Sequence, residues 1–176
     1  MRIVETPVNG IWKLKTDPLV DERGWFARLI DIDKISALAL PFTIVQANAS
    51  FNAHRDTLRG MHYQMAPDTE TKLVSCRSGA LFDVIVDIRP QSPTYTRWFG
   101  IELSAENYQS LYIPPGVAHG FLTLANNTEV YYQISGSYTP SRGQGLRWND
   151  PVFAIDWPAE PAIMAERDRS YPDFQA

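Results

Sequence analysis

The 176-residue sequence predicts a mainly-β fold, a sandwich or a barrel with the jelly roll as one solution. Three observations carry that expectation. Short segments alternate apolar and polar residues with period two. Turn signals fall between them at regular intervals. Helical periodicity is weak and confined to 32–39 and 162–168. In chain order, a strand around 46–50 places Gln46 and Asn48 on one face. LRGMHYQ (58–64) and KLVSCR (72–77) follow as strands, the latter with Lys72, Val74 and Cys76 in phase. LFDVIVDI (81–88) sets Phe82, Val84, Val86 and Ile88 against Asp83, Ile85 and Asp87. SLYI (110–113) and AHGFLTL (118–124) come next. TEVYYQI (128–134) puts Val130, Tyr132 and Ile134 on an apolar, inward face and Tyr131 on the other. The turns are Gly79, 90–93, Pro114-Pro115-Gly116, Asn126-Asn127 and 140–145.

Composition narrows the class. Hydrophobic residues make up 44% and charged residues 20%, an ordinary globular balance that fits one domain over 1–176. No apolar run approaches the ~18 residues of a membrane-spanning helix. The start, MRIVETPVNG, has no basic segment followed by an apolar stretch, so no secretory leader is expected. The one cysteine, Cys76, cannot form an internal disulfide, which points to a reducing, cytoplasmic setting. The formal charge of −4 argues against nucleic acid as a partner. It leaves room for an anionic small molecule held by a few arginines.

Three histidines are candidates for chemistry. His62 and His119 each lie in a strand close to a glycine, Gly60 and Gly120, where backbone or ligand can approach closely. His54 has no such context and reads as a solvent-facing loop residue. PPGVAHGF (114–121) delivers His119 from a rigid proline turn, and this P-x-G-x-x-H turn resembles the second motif of the cupin superfamily. The first cupin motif supplies H-x-H, then a glutamate, then a glycine. Here the corresponding run is His62-Tyr63-Gln64, then Lys72, then Gly79. An ammonium group repels a divalent metal and an amide replaces imidazole poorly. The resemblance therefore implies a cupin jelly-roll β-barrel with short flanking helices, without a metal site and without a cofactor.

DERGWF (21–26), QANAS (46–50), LRGMHYQ, KLVSC, DVIVDIRPQSPTY (83–95), IPPGVAHGF, YYQISGSY (131–138), RWNDP (147–151) and ERDRSYP (166–172) follow one another in order. Together they are similar to the dTDP-4-dehydrorhamnose 3,5-epimerase family of cupins. The resemblance covers nearly the whole chain. It implies removal of a proton beside the keto group of a nucleotide-linked 4-keto-6-deoxyhexose, formation of an enolate, and return of a proton to the other face.

By that resemblance His62 is the base, with Asp168 behind it fixing the tautomer. On pattern alone Asp168 reads as a surface carboxylate near a frayed end. Lys72 would stabilise the enolate oxygen if it points inward; otherwise its stem lies at the barrel rim. Tyr132 is the acid on the opposite sugar face. His119 and Tyr138 are substrate contacts, and Asp83 supports a histidine. Arg23, Arg59 and Arg167 would grip the ligand, and Phe26, Gln46 and Asn48 would contact base and sugar. Arg59 and His62 have opposite strand parity, so a bulge at Gly60 is needed to face both inward; without one, Arg59 sits at the pocket mouth. A homodimer is implied by the family's N-terminal strand, which crosses to a partner.

The sequence departs from the family pattern in places. Ala27-Arg28 stands where x-Glu is usual. Ser141-Arg142-Gly143-Gln144 lacks a second glutamate, Gln133 replaces a lysine, and Arg167 replaces a lysine. An arginine can only donate hydrogen bonds. Arg28 against the base would favour cytosine or guanine over thymine, giving a CDP- or GDP-linked sugar and inversion at a single carbon as an alternative. Arg28 facing solvent or phosphate leaves dTDP as the ligand. From a different class, a metal-dependent cupin oxygenase or isomerase is the further alternative.

Overall fold

The computed structural model describes residues 1–175. Two antiparallel sheets face each other in a jelly roll. The first is built from β1 (Arg2–Glu5), β2 (Trp12–Lys15), β5 (Gln46–Asn52), β7 (Thr71–Ser78), β10 (Gln109–Ile113) and β12 (Thr128–Ser135), in the spatial order β1-β2-β10-β7-β12-β5. The second contains β6 (Thr57–Gln64), β8 (Ala80–Asp87), β9 (Trp98–Ser104), β11 (Val117–Thr123) and β13 (Gly143–Gly145), in the order β13-β6-β11-β8-β9. A short β14 (Ile163–Met164) joins β6 in parallel. A separate hairpin, β3 (Leu19–Asp21) with β4 (Gly24–Phe26), stands off both sheets. The helices are α1 (Ile32–Ser36), N-capped by the Asp31 side chain, and α2 (Glu166–Arg169).

Three apolar layers hold this arrangement. Between the sheets, Val74, Cys76, Leu111 and Val130 pack against Leu81, Ile85, Val117 and Phe121. The outer face of the second sheet, through Met61, Val84, Val86 and Ala118, is covered by Leu146, Phe153, Trp157 and Phe174 from the C-terminal third. The outer face of the first, through Leu14, Leu73 and Tyr112, is covered by Ile35 and Phe42. Both faces of β8 are thus buried. The Phe82–Val84–Val86 face lies under the C-terminal cover, and the face with Asp83 and Ile85 looks into the barrel.

The expected strands over 58–64, 72–77, 81–88, 110–113, 118–124 and 128–134 are all present. The expected helix over 162–168 is corrected. Ile163 and Met164 pair with Thr57 and Leu58 at the open edge of β6, and only Glu166–Arg169 is helical. Edge pairing satisfies backbone groups that a helix in that position would leave the sheet without. The helix expected over 32–39 ends at Ser36, and Ala39 adopts a left-handed φ of 55°. The turn region 140–145 contains a 3₁₀ turn, Pro140–Arg142, and then β13. Strands β1 to β4 and β9 carry no clean alternation and were not legible as strands.

The parity conflict between Arg59 and His62 resolves at Gly60. His119 pairs with His62, and Phe121 pairs with Arg59, so two residues of β6 oppose the single Gly120. Gly60 has φ +149°, and a Cβ there would meet the Gly120 Cα at 2.5 Å. Glycine supplies both the conformation and the room. A Gly60→Ala variant is expected to lose about 2–4 kcal/mol of stability. That corresponds to a Tm lower by on the order of 5–15 °C. An unchanged melting curve would show that the bulge does not need glycine.

Candidate active site

The barrel opens into a cavity of about 610 Å³ whose walls come from both sheets and from the C-terminal segment. From the second sheet, β6 supplies Arg59 and His62, and β11 supplies His119. From the first, β7 supplies Lys72, β12 supplies Tyr132, and β5 supplies Asn48 and Ser50. Tyr138, Arg167 and Asp168 close it on the C-terminal side.

His62 Nε2 lies 2.7 Å from Asp168 Oδ1, and the Gly60 N–H donates to Asp168 Oδ2 at 3.2 Å. The carboxylate is buried, at 4% exposure, while the His62 side chain is 41% exposed toward the cavity. An ionised carboxylate only accepts, so Nε2 carries the proton and Nδ1 keeps its lone pair as the basic nitrogen. The surface reading of Asp168 is thereby corrected: β14 and α2 tuck it under the Gly60 bulge.

Lys72 points inward rather than along the rim. Its Nζ contacts Glu70 Oε1 at 2.9 Å and lies 3.5 Å from the His62 carbonyl oxygen, with a 12% exposed side chain. Tyr132 is diagonal to Lys72 across β12 and β7, where Ile134 pairs with Lys72 and Tyr132 with Val74. The Tyr132 hydroxyl bonds the Ser50 hydroxyl at 3.2 Å. Burial pushes its pKa up to about 12, against the opposing Ser50 hydrogen bond, so it stays a protonated donor at neutral pH. Tyr131 faces the other way, under the Arg77 guanidinium. His119 forms a second, fully buried pair with Asp83 Oδ1 at 2.7 Å, its ring 6.3 Å from that of Tyr132.

At the mouth, Arg59 Nε donates to Asn52 Oδ1 at 2.8 Å. Arg167 Nε donates to the Tyr171 hydroxyl at 2.6 Å and Nη2 to the Gly143 carbonyl at 3.2 Å. Gln46 shares the Asn48 face but is not part of the cavity wall. Arg23, Phe26 and Arg28 also lie outside the chain's own cavity. Arg23 pairs with Asp21 on the β3–β4 hairpin, Phe26 is 71% exposed, and Arg28 pairs with Asp31 at 3.0 Å. His54 is exposed in a bend, as expected. Ser50, Asn52, Glu70 and Tyr171 were missed. Ser50 and Asn52 share strand parity with Asn48, a signal that was available; Glu70 precedes β7, and nothing local marks Tyr171.

The cupin metal position does not fit a divalent cation. The Gln64 amide is engaged at both ends, accepting from Thr139 N at 2.8 Å and donating to the carbonyls of Asp68 and Ser137 at 3.0 and 3.2 Å. Lys72 brings a positive charge where a ligand would be needed. Burial pushes the Cys76 thiol up to about 11, far from a reactive thiolate.

The buried phenol of Tyr132 links stability to pH. Its folded pKa lies above the ordinary value of 10, so its contribution is complete below pH 10 and is lost as pH rises toward 12. In chemical unfolding, the wild type is expected to lose more stability than Tyr132→Phe between pH 10 and 12. Parallel curves would contradict the burial of a neutral phenol.

Residues 5–176 match the family model described as dTDP-4-dehydrorhamnose 3,5-epimerase. The chain is 40% identical over 165 residues to the Escherichia coli K12 enzyme of that name, covering 93% of this chain and 89% of the relative. Among solved structures, it is similar to the dTDP-4-dehydrorhamnose 3,5-epimerase of Bacillus anthracis with TDP and pyrophosphate bound. There the TM-score is 0.94 and the identity 37%, over 98% of this chain and 99% of that one. It is also similar to the Legionella pneumophila 3,5-epimerase in complex with dTDP-4-keto-L-rhamnose. That comparison has a TM-score of 0.89 and 34% identity, over 99% of both chains.

Proposed function

The chain belongs to the dTDP-4-dehydrorhamnose 3,5-epimerase family, and from that premise we propose how its own residues carry out the reaction. It is an isomerase that epimerises a dTDP-linked 4-keto-6-deoxyhexose at the carbons flanking the keto group, C3 and C5. The observation that carries the assignment of roles is the 2.7 Å His62–Asp168 hydrogen bond at a cavity whose opposite wall presents Tyr132 and Lys72.

His62 Nδ1 takes the α-proton. Asp168 holds the ring and stabilises the imidazolium that forms. Charge moves through the enolate to the keto oxygen, where the Lys72 ammonium is the donor on hand. Tyr132, facing His62 from the other sheet, returns a proton to the opposite face, which inverts the carbon. Acting at both carbons requires the sugar to present C3 and C5 in turn to the same base. Arg59 and Arg167 bind the diphosphate at the mouth, and Asn48 and Tyr138 contact the sugar. The similar structures with TDP and with dTDP-4-keto-L-rhamnose bound support dTDP as the nucleotide, while Arg28 pairs with Asp31.

In D₂O with dTDP-4-keto-6-deoxyglucose, NMR should show deuterium entering C3 and C5. His62→Ala should slow entry by on the order of 10³-fold. Tyr132→Phe should keep base-catalysed exchange while inversion falls ~10²-fold or more. Exchange that survives loss of His62 would sink the assignment.

The active unit is a homodimer of single 1–176 domains. Supporting this, the β3–β4 hairpin exposes Leu19, Val20, Trp25 and Phe26 at 55–77%, an apolar arm that favours cover by a second copy. The ligand-binding roles of Arg23 and Phe26 are then exercised at the partner's mouth. Light scattering should give twice the 19.9 kDa chain mass. Mixing and exchanging subunits of Arg23→Ala and His62→Ala should restore activity, because one site of the mixed dimer carries neither lesion. No restoration would place the arm on its own chain's site. A cytoplasmic setting accompanies this reading, supported by the lone, free Cys76; among the described residues no helix is long and apolar enough to cross a membrane.

A further inference from the structure

One side chain at the mouth is used by none of these steps, yet it touches two groups that are. Tyr171 lies two residues beyond α2. Its hydroxyl accepts from Arg167 Nε at 2.6 Å, and the Arg167 guanidinium also lies 5.7 Å from the centre of its ring. The ring meets the His62 imidazole edge to face, with centroids 6.5 Å apart and planes at 70°. The ring also lies flush against Gly145, which pairs with His62 across β13 and β6. A Cβ on Gly145 would overlap the Tyr171 ring outright. Glycine here supplies space, and the ring fills it.

The segment from Arg167 to Tyr171 therefore delivers three things to one place: a cation for the mouth, a carboxylate behind the base, and an aromatic cover beside it. Burial raises the Tyr171 pKa, so the phenol stays neutral and its oxygen stays available to the guanidinium. A neutral acceptor orients Arg167 without cancelling its charge, which a carboxylate would do.

We propose that Tyr171 is a positioning residue with two separable parts: its hydroxyl aims Arg167 at the diphosphate, and its ring holds the His62 imidazole and keeps water from the His62–Asp168 hydrogen bond. This rests on the roles assigned above to His62 and Arg167. The two parts come apart in three variants. Tyr171→Phe keeps the ring and loses only the hydroxyl. Tyr171→Ala loses both. Gly145→Ala keeps the tyrosine but displaces its ring.

Three measurements on the full-length protein test it. Steady-state kinetics on dTDP-4-keto-6-deoxyglucose should give Tyr171→Phe a KM raised about five- to tenfold with kcat within twofold. Tyr171→Ala and Gly145→Ala should lower kcat at least about tenfold. Titration with dTDP alone should show weaker binding to Tyr171→Phe by the factor seen in KM. Proton NMR of the His62 imidazole N–H, assigned by its absence in His62→Ala, should show faster exchange with water in Tyr171→Ala and no change in Tyr171→Phe. The NMR readout does not depend on turnover, so a wild type that exchanges no sugar protons would overturn the epimerase roles while the ring's shielding is still decided. Equal KM and dTDP affinity in Tyr171→Phe would overturn the hydroxyl's part. An unchanged imidazole exchange rate in Tyr171→Ala would overturn the ring's part, and a fall in Tm alone would reduce Tyr171 to a packing residue.

Discussion

The hydrogen bond between His62 and Asp168 joins residues 106 positions apart, and much of the C-terminal third is arranged so that it can form. A carboxylate at 4% exposure is tolerable only with its oxygens occupied. One oxygen takes the imidazole and the other takes the Gly60 N–H. That N–H is available because β6 bulges at Gly60, where the antiparallel ladder to β11 is interrupted. The tail must then be held in place. Pairing of Ile163–Met164 with β6, and packing of Phe153, Trp157 and Phe174 on the outer face of the second sheet, do this. The Phe174 N–H is anchored in turn by Asp150 Oδ2 at 2.6 Å.

The jelly roll also explains why the proposed acid and the proposed base face each other without neutralising one another. His62 belongs to one sheet and Tyr132 to the other, so a substrate filling the gap separates them and each addresses one side of the ring. Within a single strand, residues facing one cavity sit on the same wall; only opposed sheets provide opposed faces. Lys72 and Tyr132, diagonal on one face of β7 and β12, are placed to act on adjacent atoms of the same ligand.

What the sequence disclosed follows the range of the interactions concerned. Period-two patterns and turn residues marked the six central strands, because alternation is a local consequence of one buried face. The pattern was uninformative at β1 to β4, which are only three or four residues long. Over 162–168, helical spacing was overridden by the open edge of β6. Asp168 was legible only through family resemblance, since no local signal marks a carboxylate that meets its partner across 106 residues. Arg23, Phe26 and Arg28, expected at the ligand, lie outside their own chain's cavity, which strand parity within one chain had no means of showing. Tyr171 has no sequence signal because its partners, Gly145 and His62, come from strands remote in the chain.

Charge is laid out along the cavity in a way that matches a ligand with a neutral sugar at one end and a diphosphate at the other. Inside, each basic group has its own carboxylate: His62 with Asp168, His119 with Asp83, Lys72 with Glu70. Each carboxylate fixes the orientation of its basic partner, and burial strengthens the interaction of the Lys72 ammonium with charge that develops nearby. At the mouth the pattern changes. Arg59 is oriented by an amide and Arg167 by a phenol and a backbone carbonyl. None of these acceptors carries charge, so both guanidiniums remain uncompensated at the proposed diphosphate site. A carboxylate at position 52 or 171 would orient the arginines equally well and would repel the ligand. In the proposed complex, neutral acceptors there let a protein of net charge −4 hold a dianionic diphosphate.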